Sequence, residues 1–210
     1  SVSSQHYAFV VNAFVSLLKR ADMTRYELFL RETRTYEIIE DVKNFRSEIG
    51  VLFLNSYNRD VLTKMFDDNR LTYTSLFKAR PHIFVSKSNP LAKHEVVSLE
   101  DLEEFPYLSY DQGIHNSFYY SEEILSQIPH KKSIVVSDRA TLFNLLIGLD
   151  GYTIATGILN SNLNGDNIVS IPLGIDDEID IVYLKHEKAT LSKMGEKFLD
   201  NLVKEVTFDN

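Results

Sequence analysis

The sequence predicts an α/β fold in which mostly parallel strands alternate with helices and the chain crosses twice between two lobes. Short apolar runs alternate with amphipathic helical patterns along the 210 residues, which is typical of strands joined by crossover helices. The run IGVLFL at residues 49–54 is apolar throughout, as expected for a strand covered on both faces. The stretch 82–110 interrupts the alternation near the middle of the chain, and we interpret it as a crossing between the lobes.

The first part of the chain begins with a long helical pattern at residues 7–18 that Ser3 or Ser4 is placed to cap. Its apolar residues cover much more of the circumference than one buried face requires. The pattern therefore predicts a helix that is buried on two sides, one against its own sheet and the other against a partner subunit.

The next elements are predicted from shorter patterns. Residues 26–30 (YELFL) indicate a strand, and Thr35 is placed to cap a helix that carries Ile38 and Val42. Residues 61–66 fit either a helix or a strand, and residues 71–78 indicate a strand that leads into the crossing.

The crossing segment combines several boundary signals. Residues 82–85 indicate a strand, and Pro90 ends any strand ladder shortly afterwards. Ser98 with Asp101 three residues later indicates the start of a short helix. Pro106 stops that helix before an extended run at residues 107–110.

The second part of the chain returns to alternation. We predict a helix at residues 117–127, a strand at 133–136, and a helix at 139–147 that Ser137 and Asp138 cap. The remaining predictions are strands at 152–155, 168–172 and 179–184, a loop at 160–167, a return crossing near 181–185, and a closing amphipathic helix at 191–206.

Composition excludes several function classes. A net charge of −8 is unfavourable for a nucleic-acid surface, which needs clustered lysines and arginines. The sequence has no cysteine, so disulfides, thiolate catalysis and cysteine-bound metal are excluded, in keeping with a cytoplasmic protein. No apolar run is long enough for a membrane span. We expect no cofactor, no metal and no membrane partner.

Polar residues at the predicted strand-to-helix turns are the candidate ligand contacts, because ligands of open α/β sheets bind at the carboxyl ends of strands. Hydroxyls and free N–H groups at helix starts form a favourable cradle for an anion, and an arginine can add a cation. The candidates are Ser3, Ser4, Gln5, Thr33, Arg34, Asn55, Asp111, Ser137, Asp138 and Thr156. Helix capping, or a solvated charge for the arginine, is the alternative role of each.

The sequence gives little support for catalysis. The six histidines lack zinc-site spacing, and the sequence has no nucleophile elbow and no phosphate-binding glycine loop. Two adjacent carboxylate pairs, Asp67-Asp68 and Asp176-Asp177, are typical of solvated turns. His6, close to the start of the first helix, is the histidine best placed for a role in a site.

The chain resembles the effector-binding domains of LysR-type transcriptional regulators. The segment 82–110, HIFVSKSNPLAKHEVVSLEDLEEFPYLSY, is similar to the family's lobe-crossing segment. Residues 26–30 with the Thr-Arg-Thr turn at 33–35, the strand at 168–173 and the helix at 191–198 are also similar to the family. Each motif is weak, and the resemblance rests on their sum over the whole chain.

The resemblance implies a two-lobed fold of the periplasmic-binding-protein type II, with lobe I at 1–84 and 185–210 and lobe II at 85–184. It implies a small effector in the cleft between the lobes, either an anion, a carboxylate or an amino-acid derivative. It also implies a homodimer or homotetramer, and contact with DNA only through a winged helix-turn-helix domain outside these residues. The SSQ start and the LDGYT turn are similar to regulators of sulfur amino-acid supply.

Two other classes compete with a regulatory domain. A solute-binding receptor of a transporter shares the fold, but the wide apolar first helix favours the regulator. An enzyme such as a deaminase or dehydratase would need a paired acid and base in the cleft, and no motif for such a pair is visible. We therefore expect a non-enzymatic effector-binding domain.

Overall fold

The computed structural model describes residues 1–21, 25–159 and 165–207. Within these residues the chain forms ten strands, five α-helices and three short 3-10 turns. In chain order the first half contains β1 Val2–Ser4, α1 Ala8–Arg20, β2 Leu30–Glu32, α2 Thr35–Lys43, β3 Ile49–Leu54, α3 Arg59–Asp68, β4 Leu71–Ala79 and β5 His82–Ser86. The 3-10 turns are Pro90–Lys93, Glu100–Leu102 and Phe118–Tyr120. The second half contains β6 Tyr107–Tyr110, β7 Ser133–Val136, α4 Arg139–Leu149, β8 Tyr152–Ala155, β9 Ile168–Pro172, β10 Ile179–His186 and α5 Lys193–Thr207.

The strands form two five-stranded sheets, which define the two lobes. The lobe I sheet has the order β2-β1-β3-β10-β4, and the lobe II sheet has the order β7-β6-β8-β5-β9. The two-lobed α/β prediction is confirmed. Each sheet is mixed rather than mostly parallel, because β10 in lobe I and β5 in lobe II run antiparallel to both of their neighbours.

The chain crosses between the sheets from β4 to β5 and returns from β9 to β10. The predicted boundaries, after residues 84 and 184, therefore fall inside β5 and β10. β5 pairs along its length with lobe II strands, and β10 pairs with lobe I strands. The return crossing lies at residues 173–178, earlier than the predicted position near 181–185.

Three local predictions are wrong. The second strand lies at Leu30–Glu32 and not at 26–30. The predicted helix at 117–127 is reduced to the 3-10 turn Phe118–Tyr120, because its tyrosines stack on lobe I across the interface: Tyr119 on Tyr57 and Tyr120 against Tyr36. Helix α1 begins after Tyr7, so neither predicted serine caps it. Of the predicted 160–167 loop, residues 160–164 lie outside the described residues.

The wide apolar surface of α1 is partly covered by another helix of the same chain. Helix α1 packs against α5, and the rings of Phe14 and Phe198 meet edge to face at 6.2 Å. The second buried side predicted for α1 is therefore occupied at least in part by α5. A contact between α1 and a partner subunit stays a prediction.

The position of strand β3 between two layers of helices explains why its sequence is apolar without alternation. Ile49, Val51 and Phe53 pack in the cluster that contains α1 and α5. Leu52 and Leu54 pack on the opposite face with α2 and α3. Both faces of the lobe I sheet are therefore covered by helices, and every side chain of the strand is buried.

We predict that Gly50→Ala lowers the free energy of unfolding by about 1–3 kcal/mol, because the new methyl group overpacks the interface between β3 and α2. A Cβ at residue 50 would lie 2.8 Å from Ile38 Cγ2 and 2.9 Å from Val42 Cγ2. Gly148→Ala is the matched control: a Cβ there meets no atom within 4 Å, and alanine favours the helix by about 1 kcal/mol. Urea denaturation measures both. Equal effects of the two changes would contradict the packing described for β3.

Candidate functional site

A cavity lies between the two lobes at the carboxyl ends of their central strands. Lobe I contributes residues 6–9, which lead into α1, and Phe53 near the end of β3. Lobe II contributes Tyr110 at the end of β6, residues 153–156 at the end of β8, and the first turns of α4. The walls are mainly aromatic and aliphatic, with polar side chains from His6, Glu122, Glu123, Arg139, Thr153 and Thr156.

The cavity is small in this structure. Its volume is about 50 Å³, and one water molecule needs roughly 10–15 Å³ on that measure. A few water molecules or one small functional group therefore fill it. A larger ligand requires the lobes to move apart.

Glu122 connects the lobes across the cavity. Its carboxylate accepts hydrogen bonds from the backbone N–H of His6 at 2.9 Å and from His6 Nδ1 at 2.9 Å. Gln112 Nε2 donates a third at 3.0 Å from within lobe II. The His6 ring also stacks on Tyr110, with 4.1 Å between centroids. The buried carboxylate of Glu122, from lobe II, is thus held beside the residues that lead into helix α1 of lobe I.

The environment of His6 favours its charged form. Burial alone lowers the pKa of the imidazole, but the hydrogen bond and the negative charge of Glu122 more than offset this, so the pKa of His6 is raised. His6 and Glu122 are both almost completely buried. The pair is therefore an interlobe contact that is strongest when His6 is protonated.

A hydrogen-bond chain extends from this pair into lobe I. The Gln112 amide oxygen accepts from the Thr35 backbone N–H at 3.1 Å. Gln5 Nε2 donates to Thr35 Oγ1 at 2.6 Å, and Tyr7 donates its hydroxyl proton to Gln5 Oε1 at 2.6 Å. These contacts fix the turns after β1 and β2 relative to lobe II.

Ion pairs and ring stacks also join the lobes around the cavity. Arg139 Nε donates to Glu32 at 3.1 Å, and Arg34 pairs with Asp111. The Arg34 contact depends on Gly113, whose φ is +61° and whose absent Cβ would lie 2.7 Å from the guanidinium. The rings of Tyr36 and His115 stack at 3.5 Å.

Glu123 differs from its neighbour Glu122. Its Oε1 accepts a hydrogen bond from the Tyr110 backbone N–H at 2.9 Å, whereas its Oε2 is buried with no hydrogen-bond partner among the described residues. Burial, together with the adjacent charge of Glu122, raises the pKa of Glu123 well above its ordinary value. A buried carboxyl group that favours its protonated form therefore lines the cavity.

The predicted site residues of the first turns lie mainly outside the cavity. Ser3 Oγ donates to Asp41, and Ser4 Oγ donates to the Gln5 carbonyl. Gln5 belongs to the hydrogen-bond chain described above, and Thr33 donates to Glu37. Arg34 contacts Asp111 and Glu37. Asn55 forms hydrogen bonds within its own turn and with Asp177. Each of these side chains has a partner within the protein.

The predicted residues of lobe II are also dispersed. Asp111 lies at the rim with Arg34, Ser137 is exposed, and Asp138 caps α4 by accepting from the Thr141 backbone N–H at 2.8 Å. Thr156 lines the cavity. Of the ten predicted residues it alone does so, and a ligand-binding role for any of them stays a prediction.

The polar residues that do line the cavity were mostly missed. Glu122 and Glu123 lie in the segment predicted as a helix, and adjacent carboxylates elsewhere were interpreted as solvated turns. His6 is the histidine best placed for a role in a site, but it is not among the ten candidates. The pair follows Ser121 and precedes Ile124 and Leu125, and residues 94–130 contain no lysine or arginine. The absence of a nearby cation is the signal that could have indicated burial.

Two further site types are not found in the described part of the chain. No group of three or more potential ligands is arranged there to hold a metal ion. None of the helices described is long and apolar enough to span a membrane.

Comparison with known families agrees with the fold. The family model described as the LysR substrate binding domain matches residues 10–207. The chain therefore belongs to the LysR substrate-binding domain family, and it is an effector-binding domain of a LysR-type regulator rather than a transporter receptor. Among curated proteins, no sequence match was found.

Solved structures of the family have the same fold at low sequence identity. The reduced form of the OxyR regulatory domain from Pseudomonas aeruginosa is 12% identical with a TM-score of 0.67, over 97% of this chain and 96% of that one. The effector-binding domain of QuiR in complex with shikimate is 16% identical with a TM-score of 0.62, over 97% and 94%. HinK, a LysR family regulator also from Pseudomonas aeruginosa, is 14% identical with a TM-score of 0.61, over 98% and 69%.

We predict that Glu122→Ala lowers the free energy of unfolding by about 1–3 kcal/mol, because it leaves buried donors of His6 and Gln112 without an acceptor. Glu103→Ala is the matched control, since Glu103 pairs with Lys131 on the surface at 2.7 Å and exposed pairs contribute less than about 1 kcal/mol. Thermal denaturation at constant pH measures both variants. A Glu122 variant as stable as the control would contradict the interlobe role of this carboxylate.

We predict that Glu123→Gln gains stability relative to the wild type as pH rises. In the wild type, the folded state holds a proton on Glu123 that the unfolded chain releases. The contribution of Glu123 to the free energy of unfolding is therefore complete below the ordinary glutamate pKa, and it is lost as pH rises toward the raised pKa of the folded state. Glutamine cannot ionise, so the difference in the free energy of unfolding grows over the interval from about pH 5, just above the ordinary glutamate pKa, toward neutral pH. Melting curves across this interval measure it, and parallel curves would refute the buried protonated state.

Proposed function

We propose that a small effector binds in the interlobe cavity and that its binding changes how closely the lobes approach. One observation carries this proposal: the cavity is lined by both lobes, and the His6–Glu122 contact crosses it. A ligand that enters must replace or rearrange this contact. It can therefore shift the equilibrium between lobe arrangements by its difference in affinity for them.

The predicted anionic effector loses its main support from the fold. That prediction relied on hydroxyls and free N–H groups at helix starts, with Arg34 as an added cation. The hydroxyls of Ser3, Ser4 and Thr33 bond within lobe I. Arg34 pairs with Asp111 and Glu37 outside the cavity. The amino-acid-like alternative remains, because an amino acid carries an amine as well as a carboxylate. The predicted link to sulfur amino-acid supply stays a prediction.

We expect that a cavity-filling variant abolishes the effector response. A saturating ligand stabilises the folded state by mass action, so a metabolite library is screened for compounds that raise the melting temperature. Ala155→Phe puts a ring into a cavity-lining position, and Val61→Phe enlarges an exposed side chain of α3 as the control. The hit should lose its thermal shift in the first variant and keep it in the second. A shift retained by both would place the effector elsewhere.

We further propose that the protein forms homodimers or homotetramers through the outer face of α1. Val11, Val15 and Leu18 remain only half-buried in the single chain. Lobe II offers an apolar surface of its own, because Val135 on the edge strand β7 and Ile147 on α4 are exposed. These two surfaces fit an antiparallel arrangement in which α1 of one copy meets lobe II of the other.

We predict that Val15→Glu lowers the molar mass of the protein in solution to that of a monomer. A charge on the half-buried face of α1 would have to be desolvated in the interface, whereas Val61→Glu on exposed α3 is the control. Light scattering after size exclusion measures the mass. A wild type that is monomeric at high concentration would contradict the proposal.

Membership of the family supports the remaining proposals. We propose that the domain is regulatory and not catalytic, that it acts in the cytoplasm, and that DNA is bound by a separate winged helix-turn-helix domain of the same protein. The net charge of −8 supports this division, because DNA binding by this domain would require a basic surface. We also propose lobe boundaries at the two crossings, residues 80–81 and 173–178.

A further inference from the structure

We propose that the effector is a small protonated amine whose ammonium group binds the carboxylate of Glu123 in the interlobe cavity. This inference rests on the proposed function, because it assigns a ligand class to the same cavity. It replaces the anion predicted from the sequence with a cation. Its support comes from an unpartnered oxygen, the balance of charge in the cavity walls, and the aromatic rings around it.

The first observation is the state of Glu123. Its side chain lines the cavity and is only 3% exposed, yet Oε2 has no hydrogen-bond partner among the described residues. Buried polar atoms are satisfied in the great majority of cases. An ammonium N–H placed in the cavity would supply the missing donor.

The second observation is the pairing of the charged groups. Each cation in the walls already has a carboxylate of its own: His6 pairs with Glu122, and Arg139 pairs with Glu32. Glu123 has no basic side chain within ion-pair distance in the described residues. Because Glu32, which pairs with Arg139, does not line the cavity, the two cations leave one wall carboxyl unmatched. That carboxyl is Glu123, the one with an oxygen that has no partner in the described part of the chain.

The third observation is the chemistry of the walls. Tyr7, Phe9, Phe53, Phe84, Tyr110 and Phe143 surround the same cavity. Aromatic faces carry partial negative charge and attract cations, with energies that grow when the cation is desolvated. Rings beside a carboxylate suit an ammonium group with a short apolar body, and they are unfavourable for a second carboxylate.

Binding is expected to release a proton. Burial and the charge of Glu122 raise the pKa of Glu123, which shifts this carboxyl toward its neutral acid form in the free protein. When the ammonium binds, the acid transfers its proton to solvent and the carboxylate pairs with the ammonium. The other titratable or charged groups facing the site are His6 and Tyr7 from lobe I and Tyr107, Tyr110, Glu122 and Arg139 from lobe II. The pKa of each of the three tyrosines is raised well above its ordinary value, so they stay neutral.

The test compares amines with matched compounds of the same shape. Isobutylamine and cyclohexylamine are titrated into the whole chain by calorimetry, alongside isovalerate, cyclohexanecarboxylate and the two corresponding alcohols. We expect the amines to bind at least about tenfold more tightly than their counterparts. The heat of binding should depend on the ionisation enthalpy of the buffer, which reports the released proton.

Glu123→Gln keeps the shape of the side chain and cannot ionise. We expect it to weaken amine binding at least about tenfold and to remove the buffer dependence, while Glu103→Gln on the surface leaves both unchanged. Amine binding that survives Glu123→Gln would overturn the assignment of this carboxyl.

The outcomes also separate this inference from the proposed function. Binding of the carboxylates in preference to the amines would overturn the amine but keep the cavity as the effector site. Failure of all six compounds would overturn the amine class, and the metabolite screen with Ala155→Phe would then decide the cavity itself.

Discussion

The carboxylate of Glu122 accepts hydrogen bonds from both lobes at once, from His6 in lobe I and from Gln112 in lobe II. The other features of the cavity depend on this contact. It holds the start of α1 against lobe II, keeps the cavity volume near 50 Å³, and places a second carboxyl, Glu123, beside a fixed negative charge. A charged, buried contact of this kind is costly to break when one partner is removed.

Two adjacent glutamates thus have opposite roles. Glu122 is fully hydrogen-bonded and connects the lobes, whereas Glu123 is buried within lobe II and retains an oxygen without a partner. The surrounding interlobe contacts, Arg139 with Glu32 and Thr35 with Gln112, are distributed along the same cleft. A ligand that alters one of these contacts changes the equilibrium between lobe arrangements. The binding of a small molecule can in this way produce a movement of the lobes.

Most of the fold was predictable from local pattern. The apolar run of β3, the Asp138 cap of α4 and the Ser98–Asp101 capping contacts were all evident in the sequence. The position of β2 was not, because it is set by pairing with β1, where Val2 lies opposite Leu30. The missing helix at 117–127 was not either, because stacking such as that of Tyr119 on Tyr57 overrides local propensity there. The lining of the cavity was hard to predict for a related reason. Hydroxyls at turns predict caps as readily as ligand contacts, and only the packing of the lobes reveals that Glu122 and Glu123 are buried.

The central claim is that the Glu122 contact holds the lobes together over the cavity. Because the chain has no cysteine, spin labels can be attached selectively at Lys64→Cys on lobe I and Lys87→Cys on lobe II. Double electron–electron resonance measures the distance between the two labels. The labelled protein is diluted with unlabelled chains so that distances between subunits do not contribute. The account predicts one narrow distance population with Glu122 present, and a second, different population when Glu122→Ala is added. Identical distributions in the two proteins would contradict it.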